Sequence, residues 1–424
     1  MNLIVRLKNN EFWSNVVTLS SGTAVAQIIG LLITPVLTRI YTPEEFGAYG
    51  FYFSLLMIMS VIICLRYEMA IILPKDDAER INIIALCCLI ALSITLISCF
   101  VIVVWGDKIS SFINKKGFEI QLYWLPLSVL LVGVFQCVNF WANKKKKYTQ
   151  LSISRICRSV AFSGFGVIFE FSIFKKSGLI LADIASQFIT LVYLLSRVWS
   201  EVKANFSKIH WTKIVDVSKR YKNFPKYHVT SGLLEKASGN SPIILLAFLF
   251  TSVEAGLFAF AMKIISAPVA LIATAIGDVF REKASVSYAE HGHCRNIFLD
   301  TLTKLIVIAT PSFIIGFIAI YYFFVPIFGS EWADAGKYSQ IMCVMFFFQF
   351  IASPLSSMFV IAEKQYVDMV IHAFLLVSLV TSFWVGKFFF NDAVITIAFY
   401  TIVYSIKYII EFVLAYQYSK GIKV

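Results

Sequence analysis

The chain has 424 residues, of which 59% are hydrophobic and 15% charged, with 37 Lys+Arg against 25 Asp+Glu and a formal charge of +12. Soluble domains are about 45–50% apolar and about 25% charged, so an ordinary soluble protein and a disordered one are both excluded. At about 20 apolar residues per membrane helix the composition supplies about twelve spans, and the basic excess reads as loop charge rather than as a nucleic-acid surface.

The N-terminal segment carries Arg6, Lys8 and Glu11 and no cleavable signal pattern, so the first apolar run is read as a retained span. Run length, with breaks at Pro, Gly and charge clusters, predicts six spans in the first half: Asn15–Leu37, Phe46–Leu73, Asn82–Trp105, Gln121–Ala142, Gln150–Phe171 and Gly178–Trp199. The second half predicts Tyr227–Phe250, Glu254–Phe280, Thr301–Phe328, Tyr338–Ile361, Tyr366–Phe388 and Ala393–Tyr418. Alternate loops carry about 21 and about 8 basic residues, which places both termini in the cytoplasm by the positive-inside rule.

Within the first span, Gly22, Ala26 and Gly30 form a stripe of small residues that permits close helix contact. After it comes Thr42-Pro43-Glu44-Glu45-Phe46-Gly47, which aligns with Thr251-Ser252-Val253-Glu254-Ala255-Gly256 at an offset of 209 residues. Two half-chains of six spans share one orientation, so the repeat is parallel, with its axis along the membrane normal and substrate sites expected between the halves. Thr followed three residues later by Glu is also a capping box, so Glu45 and Glu254 read as helix-start residues rather than transport carboxylates.

Ionisable residues inside spans are costly and are the first functional candidates. Arg66 lies about 10 Å deep in the second span; Arg155 and Arg158 lie about 12–16 Å deep on one face of the fifth. Together they predict a cationic pocket for phosphate, because the planar guanidinium fork makes bidentate hydrogen bonds. The alternatives are an Arg66–Glu68 pair and arginines that snorkel to the inner surface. Glu235 and Lys236 fall in the seventh span and Lys263 in the eighth. Glu235 is the candidate for a coupling H⁺ or Na⁺, or else a structural partner of Lys263. Asp300 with Lys304, and Lys407 with Glu411, are i, i+4 ion pairs.

Residues 200–226 alternate apolar and basic side chains at near-helical spacing, which predicts an amphipathic cytoplasmic linker on anionic inner-leaflet lipids. It divides the chain into an N-terminal lobe, 1–199, and a C-terminal lobe, 227–424. The eight cysteines form no C-x-x-C and read as small buried hydrophobes. His291-Gly292-His293-Cys294 lacks a distant fourth ligand, so no metal site is expected, and no nucleotide or hydrolase motif is present. No cofactor is expected.

Thr34-Pro35-Val36-Leu37-Thr38-Arg39-Ile40-Tyr41-Thr42-Pro43-Glu44-Glu45-Phe46-Gly47 resembles the start of bacterial oligosaccharide flippases of the polysaccharide type. Leu65-Arg66-Tyr67-Glu68-Met69, Phe224-Pro225-Lys226-Tyr227, Glu254-Ala255-Gly256-Leu257-Phe258, Gly277-Asp278-Val279-Phe280 and Gly329-Ser330-Glu331-Trp332 extend the resemblance to the tenth span. It implies the fold of the multidrug/oligosaccharidyl-lipid/polysaccharide exporter superfamily: an all-α polytopic membrane protein, with about twelve helices in two six-helix lobes around a central cavity. It further implies a non-enzymatic flippase of undecaprenyl-diphosphate-linked oligosaccharides in the bacterial inner membrane, working by alternating access in surface polysaccharide and O-antigen assembly. The resemblance carries over no site motif, so substrate contact is expected at Arg66, Arg155, Arg158 and Lys263 on their charge and depth alone. An ion-coupled drug or metabolite antiporter of the same superfamily, or a membrane polysaccharide enzyme, are the alternatives.

Overall fold

The computed structural model describes residues 18, 20–112, 119–173 and 175–421. The loop cations Arg6, Lys8, Lys115, Lys116 and Lys423, counted above for orientation, lie outside them. Among the described residues every regular element is helical. The long helices in chain order are α1 (Ser20–Ile40), α2 (Pro43–Ile62), α3 (Asp77–Phe112), α4 (Leu125–Lys144), α5 (Tyr148–Glu170) and α6 (Gly178–Lys203). They continue with α7 (Trp211–Arg220), α8 (Val229–Leu249), α9 (Ser252–His291), α10 (Arg295–Phe328), α11 (Ala333–Leu355), α12 (Gln365–Val385) and α13 (Ala393–Ser419).

Eleven of these, α1 to α6 and α9 to α13, belong to segments long and apolar enough to cross a membrane. The predicted seventh span is the exception. It is the 21-residue α8, preceded by a π-helical turn over Phe224–His228. Glu235, Lys236, Ser238, Gly239, Asn240 and Ser241 dilute its apolar character.

Helix starts follow local chemistry. At the head of α2 the Thr42 N–H donates to Glu45 Oε2 at 2.9 Å while the Glu45 N–H donates to Thr42 Oγ1 at 3.3 Å, a complete capping box. Its repeat at α9 is half-kept. Thr251 Oγ1 accepts from the Glu254 N–H at 3.2 Å, but the Glu254 carboxylate accepts instead from the Tyr338 hydroxyl. Asp392 caps α13 by accepting from Val394 and Ile395. In α1 the helix breaks at Ile33, two residues before Pro35, because proline removes a donor and crowds the preceding turn.

The second predicted span ends earlier than expected. α2 stops at Ile62, and Leu65 and Arg66 take left-handed backbone angles, φ 48° and 63°. A short 3₁₀ helix, Tyr67–Ile72, then returns the chain to α3. Arg66 therefore sits at a turn and not inside a helix, a correction to its reading as a span residue.

Two compact units emerge, Met1–Ile40 with Tyr52–Lys236 and Tyr41–Phe51 with Ala237–Val424. In the first, α6 packs on α5 and α4, and α4 packs on α3. The small stripe of α1 lies on α5: Ser152 Oγ donates to Thr18 O and Ser159 Oγ to Ala26 O, both at 2.6 Å. In the second, α11 is central, packing on α9, α10 and α13, and α12 packs on α13.

Residues 200–226, read from sequence as one amphipathic segment, fall within the first unit. α6 absorbs Ser200–Lys203, and the ten-residue α7 is the linker's one α-helix. Ile214 and Val217 are buried, and the Tyr67 hydroxyl donates to Ser218 O at 3.0 Å. Arg220 pairs with Glu79 at 2.8 Å. This apolar face is spent on the lobe, which corrects its reading as lipid-facing. Trp211, Phe206 and Trp199 stay exposed.

Candidate functional site

The first unit holds a cavity of about 210 Å³ lined by Met57, Ser60, Leu131, Val132, Phe135, Gln136, Arg158, Gln187 and Thr190. These residues come from α2, α4, α5 and α6, all apolar enough to span a membrane. Met57, Leu131, Val132 and Phe135 give it apolar lining, and it holds one charged group, whose side chain is 34% exposed.

That group is the guanidinium of Arg158. Its Nη2 lies 3.3 Å from Asp183 Oδ1, and Asp183 is only 3% exposed. Gln187 Nε2 donates to the other carboxylate oxygen at 2.6 Å. Gln136 Nε2 donates to Ser60 O at 3.1 Å. Both amide orientations are thus set by their donors, and Oε1 of Gln136 and of Gln187 is left buried without a hydrogen-bond partner. The lining combines one cation, two unsatisfied acceptors, two hydroxyls and an apolar wall. Such a set suits an anionic group flanked by hydroxyl donors.

The other predicted residues have separate surroundings. Arg66 lies 3.7 Å from Glu68 Oε1, too far for a hydrogen bond, and Arg66 Nε and Glu68 Oε2 are both buried and unpartnered. Its Nη2 lies against Gly232, where a Cβ would come within 2.5 Å. Arg155 donates to the Thr23 hydroxyl of α1. Of the three arginines, Arg158 alone lines the cavity. Glu235 is exposed and lies 3.4 Å from Lys236. Lys263, half-buried in α9, has no hydrogen bond or ion pair among the described residues.

Asp183 was legible in the sequence as a lone carboxylate in an apolar span, which is costly unless paired. Gln136 and Gln187 carry no such signal, since neutral amides are tolerated in membrane helices.

A larger depression of about 480 Å³ is lined by Lys75, Asp76, Asp77, Arg80, Lys144, Lys145, Asn205 and Lys208. Despite its charge, most of its cations are committed. Arg80 donates to Ile71 O and Pro74 O, Lys144 donates to Ile72 O, and Lys145 pairs with Asp77 at 2.7 Å. We assign it to holding the 3₁₀ segment in place. In the second unit Asp368, His372 and Glu411 place ligand atoms within 4.8 Å of one another. Lys407 already holds Glu411 at 2.8 Å, as its i, i+4 spacing predicted.

The fold is that of known membrane transporters. A lipid II flippase, MurJ, in an inward closed conformation superposes with a TM-score of 0.73 at 13% identity, covering 95% of this chain and 87% of that one. An inward-facing multidrug resistance MATE family transporter of the MOP superfamily gives 0.71 at 13% identity, covering 94% and 93%. A MOP superfamily transporter from Pyrococcus furiosus gives 0.57 at 14% identity, covering 95% of each. No curated protein sequence matches the chain. With eleven apolar helices among the described residues, the molecule is a multi-pass membrane protein, and its fold is similar to that of these transporters. The chain belongs to the polysaccharide biosynthesis protein family, whose model matches residues 36–337.

Proposed function

We propose that the protein is a flippase for undecaprenyl-diphosphate-linked oligosaccharide units. It moves them from the inner to the outer leaflet of the bacterial inner membrane by alternating access, for surface polysaccharide or O-antigen assembly. The observation that carries this reading is Arg158, fixed by Asp183 in a cavity with two free amide acceptors, in a chain of a polysaccharide biosynthesis family. A diphosphate in a poorly solvated site needs fixed positive charge, and the adjoining sugar brings hydroxyl donors. Arg66, with a spare Nε donor, and Arg155 add charge in the same unit, and Lys263 supplies it in the other. Both termini are cytoplasmic in this reading, which requires the 21-residue α8, about 30 Å long, to cross as a twelfth span despite its polar residues. The exposed aromatics and lysines around α7 then meet anionic inner-leaflet lipids. Glu235 is the coupling carboxylate for H⁺ or Na⁺.

The test is single Ala and Lys variants of Arg66, Arg155 and Arg158, scored by surface polysaccharide, protein level and binding of the lipid-linked substrate. Loss of one charge-assisted hydrogen bond costs about 1.5–3 kcal/mol, roughly 10- to 100-fold in affinity. Arg158→Ala is expected to fall in this range, with Arg158→Lys restoring only part because it lacks the fork. Normal binding and transport in all three Ala variants at normal protein level would falsify the reading.

Gly232→Ala supplies a second, milder probe. The new methyl meets the far end of the Arg66 side chain at 2.5 Å and Cγ1 of the buried Val61 at 3.1 Å. Because Val61 must give way, stability is expected to fall by up to about 1–3 kcal/mol, so transport is compared at matched protein level. Transport is expected to fall toward the Arg66→Ala level, because the guanidinium must turn away. Wild-type transport in Gly232→Ala alongside a defective Arg66→Ala would show that this placement of Arg66 is not the working one.

A further inference from the structure

Cys64, Cys87 and Cys137 gather in the first unit, although 23 and 50 residues separate them in the sequence. Cys64 lies in the turn after α2, Cys87 and Cys88 in α3, and Cys137 in α4. The Sγ atoms of Cys64, Cys87 and Cys137 all lie within 4.8 Å of one another, and none of the three residues is more than 1% exposed.

Ordinary buried thiols would sit among hydrocarbon or donate a good hydrogen bond. Cys64 does donate to Gly133 O, at an ordinary 3.6 Å for sulfur, with Cys87 O farther at 3.9 Å; what sets it apart is that three sulfurs converge. Gly133 is what lets the turn come so close: a Cβ there would press within 2.8 Å of Ile63 and 3.6 Å of the Cys64 sulfur. Four residues after Cys64, Glu68 is 1% exposed and keeps Oε2 without a partner.

We propose that Cys64, Cys87 and Cys137 form a binding site for one soft, thiophilic d¹⁰ cation of the Cu(I)/Zn(II) class. Three thiolates around a metal at about 2.3 Å lie roughly 4.0 Å apart in a trigonal plane, so the observed spacing needs only a small closure. Thiolate donors select soft cations over Mg²⁺ or Ca²⁺, which require oxygen. Binding releases the thiol protons, so affinity falls as pH is lowered. The bound ion ties the α2 turn to α3 and α4, and with it the left-handed Leu65–Arg66 pair that presents the Arg66 side chain. The site is independent of what the protein transports.

The experiment uses the full chain, purified in detergent under reducing, anaerobic conditions and titrated with Cd²⁺ as a spectroscopic probe, then with buffered Cu(I). Expected are one ion per chain, an ultraviolet thiolate-to-metal band that saturates at one equivalent, and a metal-dependent rise in melting temperature. Cys137→Ser is expected to weaken binding by at least about 100-fold, since the loss of a mere outer-shell contact already costs 10- to 100-fold. Cys343→Ala, elsewhere in α11, is expected to bind as wild type does. Should Cys137→Ser fail to fold, Cys64→Ala and Cys87→Ala make the same comparison singly. Absence of the band in folded wild type at one equivalent, or an undiminished band after Cys64 and Cys87 are both replaced, overturns the proposal.

Discussion

Alanine at Gly256 or at Gly47 is expected to abolish folded protein, or to lower its melting temperature more than any other small substitution in the chain. A Cβ on Gly47 would overlap the carbonyl oxygen of Ser252, and a Cβ on Gly256 would overlap the carbonyl oxygen of Pro43. These are backbone atoms near the starts of α2 and α9, so no rotamer change relieves the clash. Overpacking commonly costs about 1–3 kcal/mol, and backbone that cannot yield puts these two at or above the top of that range. The reciprocity is that of the repeat, because Pro43 maps to Ser252 and Gly47 to Gly256 at the same 209-residue offset. Around the crossing, Phe46 and Phe260 flank the fully buried Trp332, with ring centroids at 4.9 and 4.5 Å. Gly164 and Gly239 are the controls. Each would meet open space, and alanine there should stabilise its helix by about 0.5–1 kcal/mol. Thermal unfolding in detergent separates the two pairs, and equal melting temperatures for all four variants would refute the close crossing.

Lys407→Met is expected to destabilise the protein by about 3–5 kcal/mol, because it strands the Glu411 carboxylate in the interior. The Lys407 and Glu411 side chains are 10% and 4% exposed, and their charges meet at 2.8 Å within α13. Adding Glu411→Leu should recover most of the loss, since removing both charges leaves an apolar pair of similar volume. A double-mutant cycle read by melting temperature checks this. Strictly additive losses would mean that the pair does not act as a unit.

Run length made eleven of the spans legible, because water-free lipid allows only long apolar helices there. The Thr42–Glu45 capping box was legible for a local reason: the donor and acceptor are three residues apart, and nothing distant competes. Its copy at Thr251 differs because Tyr338, 84 residues from Glu254, captures the carboxylate. The end of α2 was hidden, since the apolar run continues to Leu73 while the turn depends on Leu65 and Arg66 adopting angles that most residues avoid. In the candidate site, Arg158 stood out as a charge in a span, and Asp183 could have done so. The amides did not, because only the tertiary packing of α2, α4 and α6 leaves their oxygens unsatisfied. The cysteine cluster was invisible for the same reason, its members lying on three different elements.

α9 is 40 residues long, about 60 Å, and a bilayer core is about 30 Å thick. The helix therefore exceeds the core thickness, with its natural bending point at Pro268. Beyond the proline it still packs on the second unit, Gly277 against Pro354 and Arg281 Nε donating to Ser357 Oγ at 3.3 Å. From Pro268 to His291 the helix measures about 35 Å. A bend of about 10° at the proline sweeps its tip through about 6 Å, so small angular changes are geared up into displacements larger than a helical turn. The tip is also fastened. Just past it, the Cys294 N–H donates to Ser419 O at 2.8 Å, and Gly421 packs on the Gly292 carbonyl. The ends of α9 and α13 are thus joined by direct contact, so a displacement of one is passed to the other.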